Sequence, residues 1–374
     1  MNGSPFRVAH SAIGLWGEAV QDCVRQLSPI PEGANLGFVY VTDLYVNRLT
    51  DILAELRVQT GITQWVGSVG IGICAGNREY LDESAIAVML GEFPAESFRV
   101  FEPLADPGQV AQHFEKAALH GQAAYFALAH ADGRNPDTAQ LIEMTAAGMS
   151  SGFIAGGLSS SRFHAIQVAN GVVQGGLSGV MFSDQVKVHT RLTQGVTPIG
   201  PRHRVTASQD NILISLDGRS ALEVLYEDIG EILARDLQRA AGYIFAALSI
   251  PGSDSRDYLV RNLIGADTAE GLVAINELVP VQAEILFCRR DAQAAEQDML
   301  AMLQDLQANL SGRPRGAVYY SCLGRGESLF GAKSAEVSLI QQILGDIPLV
   351  GFFANGEISH NRLYSYTGVL TLFV

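Results

Sequence analysis

Two segments near the carboxyl end carry the residue types best suited to recognition chemistry. They are YYSCLGRGES (Tyr319–Ser328) and PLVGFFANGEISH (Pro348–His360). Each couples an apolar run to a glycine-rich turn that bears charge. Gly324 and Gly326 allow positive φ and close backbone approach. Arg325 between them offers a planar donor fork suited to a carboxylate or a phosphate. Asn355-Gly356 is a turn dipeptide, and Glu357 after it could receive an amine. Cys322 ends the first apolar run, and Tyr320 and Phe353 could wall a cleft. Ligands of open α/β sheets collect at the carboxyl ends of strands, where both turns are expected. The competing reading is an Arg325–Glu357 ion pair that ties two loops together, with Cys322 as a small buried hydrophobe.

Other motifs carry less. In WVGSVGIGICAGNREYLDES (Trp65–Ser84) the glycines are out of step with a dinucleotide fingerprint and no helix opens after them. The segment still reads as a loop after a strand, with Arg78 and Glu79 at its tip, able to line the same cleft as Arg325. GRGESLFGAKS fails as a P-loop because Ala332 separates the glycine from the lysine. GMSSG (Gly148–Gly152) has the spacing of a nucleophile elbow but the helix precedes Ser150 instead of following it. The eight histidines show no paired metal-ligand spacing. His130 stands out at the end of a buried strand, before Asp132-Gly133-Arg134.

These residues need elements to hold them, and the apolar periodicity alternates between strand and helix. LGFVYVT from Leu36, AIAVML, FRVF and AYFALAH from Ala124 read as strands. Residues 13–27, 49–56 and 110–117 read as helices. Asp137 with Gln140 forms a capping box for the next helix, and Gly148 is its stop. From Gly152 to Thr193 strand follows strand, with Gly156-Gly157 and Asn170-Gly171 as turn signals. The stretch 195–210 has two prolines and no periodicity, so it marks a boundary between domains 1–195 and 196–374. Beyond it come ILISL, a helix over Glu223–Arg239, four strands between 242 and 288, and a long helix with Met299, Met302, Leu303 and Leu306 on one face. An internal repeat pairs AYFALAHADGR, a helix, FIAGGL and GGLSGVMF with GAVYYSCLGRG, a helix, PLVGFFANGE and YTGVLTLF. The expected fold class is α/β: two mixed α/β halves with largely buried sheets and a pseudo-duplication.

The balance of the 374 residues excludes several classes. Apolar residues make up 48% and charged residues 17%, against about 25% charged in typical domains, so wholesale disorder is out. The net charge of −14 argues against nucleic-acid binding. No apolar run approaches the roughly 20 residues that span a bilayer, which argues against membrane insertion. The start shows no signal-peptide pattern, and four scattered cysteines without a CxxC fit a reduced cytoplasmic setting.

The run AVYYSCLGRG, a helix, DIPLVGFFANGEI and YSYTGVLTLF resembles the C-terminal half of FIST proteins. Gly324, Arg325 and Gly326, with Cys322, match its C-x-G-R-G motif. Gly351, Phe352, Phe353, Asn355, Gly356, Glu357 and Ile358 match G-F-F-x-N-G-E-I. GSVGIG, REYLDESAIAVML and FIAGGLSS resemble the N-terminal FIST domain more loosely. The resemblance implies a bacterial sensory module of signal transduction that binds a small ligand, with amino acids as candidates. One subset is associated with haem and nitric oxide sensing through a histidine. No kinase, cyclase, methyl-acceptor or F-box segment remains, so signalling would run through a separate partner protein.

The resulting expectation is a cytoplasmic, non-enzymatic receptor without an obligatory cofactor. Its small polar ligand would be held by Tyr320, Cys322, Gly324, Arg325, Gly326, Phe353, Asn355, Gly356, Glu357 and Arg78. Arg325 would meet an anionic group; Glu357 and Asn355 would meet a cationic or amide group. Three alternatives stand beside it: a haem-based gas sensor using His130, His164 or His189; an enzyme whose nucleophile is Cys322, activated by Arg325; and a scaffold without a ligand.

Overall fold

Apolar runs too short for helices and rich in β-branched and aromatic residues become strands buried on both faces. The computed structural model describes residues 6–116, 123–234, 242–250 and 258–374. Within these, the chain is α/β, as the alternation predicts. It divides into two compact units, residues 1–193 with 300–374, and residues 194–299. The first unit therefore takes in the C-terminal strands, and the second is an excursion from it. The excursion begins at residue 194, and residues 300–374 belong with 1–193.

The first unit is built from three copies of one plan. The first copy contains β1 (Phe6–Ser11), α1 (Trp16–Leu27), β2 (Leu36–Thr42), α2 (Leu49–Thr60), β3 (Gln64–Gly70), the hairpin β4 (Gly72–Ala75) and β5 (Arg78–Leu81), and β6 (Ile86–Gly91). The second contains β7 (Phe98–Leu104), α3 (Pro107–Lys116), β8 (Phe126–Ala131), α4 (Thr138–Gly148), β9 (Phe153–Leu158), the hairpin β10 (Ile166–Ala169) and β11 (Val172–Gln174), and β12 (Leu177–Phe182). The third opens with β13 (Val188–Thr193) and is interrupted by the excursion, which holds α5 (Ala221–Ala234). It resumes with α6 (Ala292–Asn309), β14 (Gly316–Cys322), α7 (Glu327–Phe330), α8 (Ala335–Leu344), β15 (Leu349–Ala354), the hairpin β16 (Glu357–His360) and β17 (Arg362–Tyr364), and β18 (Gly368–Phe373).

Each copy forms a sheet around a parallel pair: β2 with β3, β8 with β9, β14 with β15. The helix between the paired strands makes the crossover that parallel pairing requires. The strand orders are β1-β6-β2-β3-β10-β11, β7-β12-β8-β9-β16-β17 and β13-β18-β14-β15-β4-β5. Every copy thus completes its sheet with a hairpin lent by another copy, and the lending is cyclic. The two-part repeat seen in the sequence is the second and third members of this set.

The equivalence reaches single atoms. Gly67, Gly156 and Gly351 occupy matching sites, and a Cβ there would sit 1.7, 1.8 and 1.7 Å from the carbonyl oxygens of Val39, Ala129 and Tyr319. Gly156-Gly157, expected as a turn, therefore lies inside β9, where the glycines admit a close neighbour. The backbone N–H groups of Thr42, Asp132 and Cys322 donate to the carbonyls of Ala85, Gly176 and Thr367 in the same way each time. Asn170, at φ 55°, does form a turn, between β10 and β11. Asp137 precedes α4 but its side chain makes no capping bond, so the expected capping box is absent there.

The inner faces of the three sheets share one core, which includes Phe38, Leu128, Val318, Phe182, Phe352 and Phe373. A second cluster packs α1 and α2 on the outer face of the first sheet, and a third packs α4 on the second. The excursion has its own core, with Leu213, Leu225, Val273 and Phe287. Its strands include Ile244–Ser249, Tyr258–Asp267, Leu272–Ile275 and Glu284–Arg290, close to the four expected. The helix expected to Arg239 is seen to Ala234, and residues 235–241 lie outside the described residues. Among the described residues no helix is long and apolar enough to cross a membrane.

Candidate functional site

The fifth residues of β2, β8 and β14 are Tyr40, His130 and Tyr320, and they meet at the centre of the shared core. Tyr40 Oη lies 3.1 Å from His130 Nε2 and 3.2 Å from Tyr320 Oη. Burial pushes the His130 imidazole down to about 3, so it is neutral at pH 7. Its Nδ1 has no hydrogen-bond partner among the described residues. Tyr320 is therefore a core residue, 0% exposed.

Two residues along each strand the core reaches its end, and there Cys322 meets Glu357. The Glu357 carboxyl is wholly buried although β16 has left the sheet of β15 to pair with β9. Its Oε2 accepts from the Thr367 backbone N–H at 3.1 Å and the Thr367 hydroxyl at 2.8 Å. Apart from the Cys322 thiol, its Oε1 has no hydrogen-bond partner among the described residues. Burial raises this carboxyl to about 8, against the opposing pull of Thr367, the Arg325 charge and the Cys322 thiol. Glu357 is thus largely a neutral acid at pH 7.

Arg325 takes a different direction. It turns to the outer face of the third sheet, beneath α8, and pairs with Glu336. Glu336 Oε1 accepts from Arg325 Nε at 2.8 Å and Tyr319 Oη at 2.7 Å. Its Oε2 accepts from Ser321 Oγ at 2.8 Å and the Gly326 N–H at 3.0 Å. Both side chains are 0% exposed. The guanidinium also lies 5.2 Å from the centre of the Phe330 ring. The ion pair of the competing reading, between Arg325 and Glu357, is replaced by this one; the Arg325 charge still acts on Glu357. Gly326 is needed here: its φ is +58°, and a Cβ would fall 2.8 Å from Phe353.

Alternation along β5 separates Arg78 from this cluster. Arg78 is exposed and acts on Tyr80 and His10. Glu79, on the opposite face, comes to the start of α8. Its Oε1 accepts from the Val337 N–H at 3.3 Å, and its own N–H donates to Ser334 Oγ at 2.9 Å. Burial, then repulsion from Glu336, raises Glu79 to about 7. Asn355 is exposed, with its backbone N–H donated to Leu158. Gly356 has φ +142° and its carbonyl accepts from Leu158. The Gly324 carbonyl accepts from Ser328 Oγ at 3.4 Å.

The structure therefore brings Cys322, Glu357 and Thr367 together, turns Arg325 to Glu336 and Phe330, sets Phe353 against Gly326, and leaves Arg78 apart. Thr367 and Glu336 escaped sequence reasoning, which placed Glu79 beside Arg78 at the tip of a loop able to line the cleft. Thr367 lies in YSYTGVLTLF, where nothing marks it as a donor to Glu357, and Glu336 reads as an ordinary acid in the first turn of a helix.

Two alternatives lose their footing on this geometry. The Cys322 thiol is pushed up to about 12 by burial and then by Glu357, which outweigh Arg325. That opposes the activated thiolate expected of a nucleophile. His130 does not fit a haem ligand, because it is enclosed in the core with Nε2 turned to Tyr40. His164 is exposed and His189 half-buried on β13.

The FIST N domain matches residues 35–219 and the FIST C domain matches residues 221–360. The chain belongs to the FIST family. The two FIST matches meet inside the second compact unit, so family halves and compact units do not coincide. An uncharacterized protein of Mycobacterium tuberculosis is 32% identical over 350 residues, 88% of each chain. An uncharacterized protein of Mycobacterium bovis is 30% identical over 363 residues, 92% of this chain and 91% of the relative. FIST domains are associated with sensory roles in signal transduction.

Proposed function

We propose that this FIST protein is a cytoplasmic receptor for a small polar molecule, an amino acid being the favoured class, and that it signals through a separate protein. Glu357 is the observation that carries the reading. A fully buried carboxyl with one oxygen held twice by Thr367 and the other met by no donor stronger than the Cys322 thiol is costly to maintain unless something completes it. It stands at the carboxyl end of the third sheet, where α/β proteins collect ligands. The approach is from the side of Cys322, which is 8% exposed. An incoming ammonium group would convert the neutral acid to its carboxylate and pair with it. Asn355, Gly356 and Gly324 supply backbone and amide groups at the rim. Arg325, bound to Glu336, tunes Glu357 from behind and does not reach for an anion.

The test is a thermal-shift screen of the free amino acids and their decarboxylated amines, followed by Glu357→Gln. A ligand that raises the melting temperature of the wild type should lose that effect in the variant. An undiminished shift in the variant would place the ligand elsewhere.

A further inference from the structure

In the second unit, one histidine is held between two carboxylates from different elements. His203 lies on the strand His203–Gln209. Its Nδ1 is 2.7 Å from Asp217, in the turn after the strand Ile212–Leu216. Its Nε2 is 2.9 Å from Asp228, on α5. A carboxylate can only accept, so each nitrogen must carry a proton, and the ring is then an imidazolium. The side chains of His203 and Asp228 are 11% and 8% exposed, and that of Asp217 is 48% exposed. Asp228 is also packed on Gly200, where a Cβ would come within 2.4 Å of the whole carboxylate. Asp217 is held in turn by the Arg204 N–H at 2.8 Å.

We propose that His203 is a pH-gated latch: doubly protonated, it pins the first half of α5 to the strands beneath, and loss of one proton releases that half. A neutral imidazole donates once. One of its nitrogens would then face a carboxylate with a lone pair, and a nearly buried Asp228 left without a donor is unfavourable. α5 is built to part there, since Gly230 interrupts it with φ 75° and ψ 164°. Solvent can deliver the proton through a surface hollow of about 410 Å³ lined by Arg202, His203, Arg204, Thr206, Asp217 and Glu284.

The charges around the ring set the direction. Burial works against the imidazolium, but the hydrogen bonds and charges of Asp217 and Asp228 outweigh it and raise His203 above 6.5. Arg202 and Arg204 on its own segment oppose the charge, and Glu284 on the neighbouring strand lies 3.6 Å from Arg202. Glu227 on α5 is paired with Arg219 at 2.6 Å. A histidine raised by folding stabilises below its unfolded value and loses that contribution as pH rises through the folded value. The latch is closed in mild acid and opens above pH 6.5.

Two measurements on the full chain test this. NMR titration of the His203 ring should give a midpoint above 6.5, and Asp228→Asn should lower it. Hydrogen exchange, corrected for intrinsic base catalysis, should show protection of residues 221–229 falling through the same midpoint, with no parallel fall in β2 or β14. His203→Gln should leave protection of 221–229 low and independent of pH. Should that variant not fold, Asp217→Asn serves, with a lowered midpoint for both readouts. A midpoint at or below 6.5, or protection of 221–229 that ignores the ring titration, overturns the latch.

Discussion

Glu336 and Glu357 are both buried carboxyls, and their partners give them opposite parts. Glu336 receives four donors, Arg325 among them, so it is a satisfied structural anchor. Removing one member of such a buried pair strands the other charge, at a cost of about 3–5 kcal/mol. Glu336→Ala should therefore unfold at much lower urea than the wild type, and Arg325→Ala should do the same. Stable folding of Arg325→Ala would contradict the anchor. Glu357 behaves otherwise. An acid raised by folding from 4.5 to about 8 stabilises below 4.5 and loses that contribution as pH climbs through 8. Urea midpoints of the wild type should thus decline over that window, and Glu357→Gln should flatten the decline. An amine that pairs with Glu357 should release a proton on binding at pH 7, seen as calorimetric heat that depends on the buffer. Cysteine chemistry belongs at the same scale. All four thiols are buried, so alkylation of the native protein at neutral pH should be slow, with Cys322 the first to react. Rapid labelling of Cys322 would restore the activated-thiolate reading.

Among elements, the β14–α8–β15 crossover was legible, because two apolar runs separated by one helix can hardly pair except side by side and parallel. Where Arg325 points was not legible. The charged residue nearest in kind was Glu357, whereas Glu336 looked like a solvated acid favoured by the helix dipole. Nothing in a single sequence shows that α8 lays its first turn over Tyr319 and Ser321. Gly156 misled for a related reason: glycine pairs mark turns, but here glycine makes room inside a strand. Gly67→Ala, Gly156→Ala and Gly351→Ala share one steric problem. Each should destabilise by at least about 2–3 kcal/mol, the scale of an overpacked core. Denaturation curves of the three variants should therefore agree closely, and a neutral substitution at any of them would break the equivalence of the copies.

At the scale of the molecule, the first copy hid because Asp43-Leu44-Tyr45 follows its Thr42 where the others carry a Gly-Arg turn, and because a whole compact unit separates β13 from α6 in the third. The excursion is attached at neighbouring points: the Gln194 N–H donates to Asp298 at 2.7 Å. Replacing residues 195–297 by a short glycine-serine link should therefore leave a folded three-sheet unit. Far-UV dichroism and a cooperative thermal transition would check this, and an unfolded product would show that the excursion is indispensable to the rest.

The cyclic lending of hairpins bears on how the protein is made. A ribosome delivers the chain from its amino end. The first sheet waits for β10 and β11, complete only at Gln174. The second waits for β16 and β17, which end at Tyr364, and the third for β18, which ends at Phe373. Two of the three sheets are therefore unfinished until Tyr364 and Phe373 have been made, and β4–β5 must wait more than two hundred residues for β15. Nascent chains of this protein expose apolar strand edges throughout that interval, the state in which chaperones engage their clients.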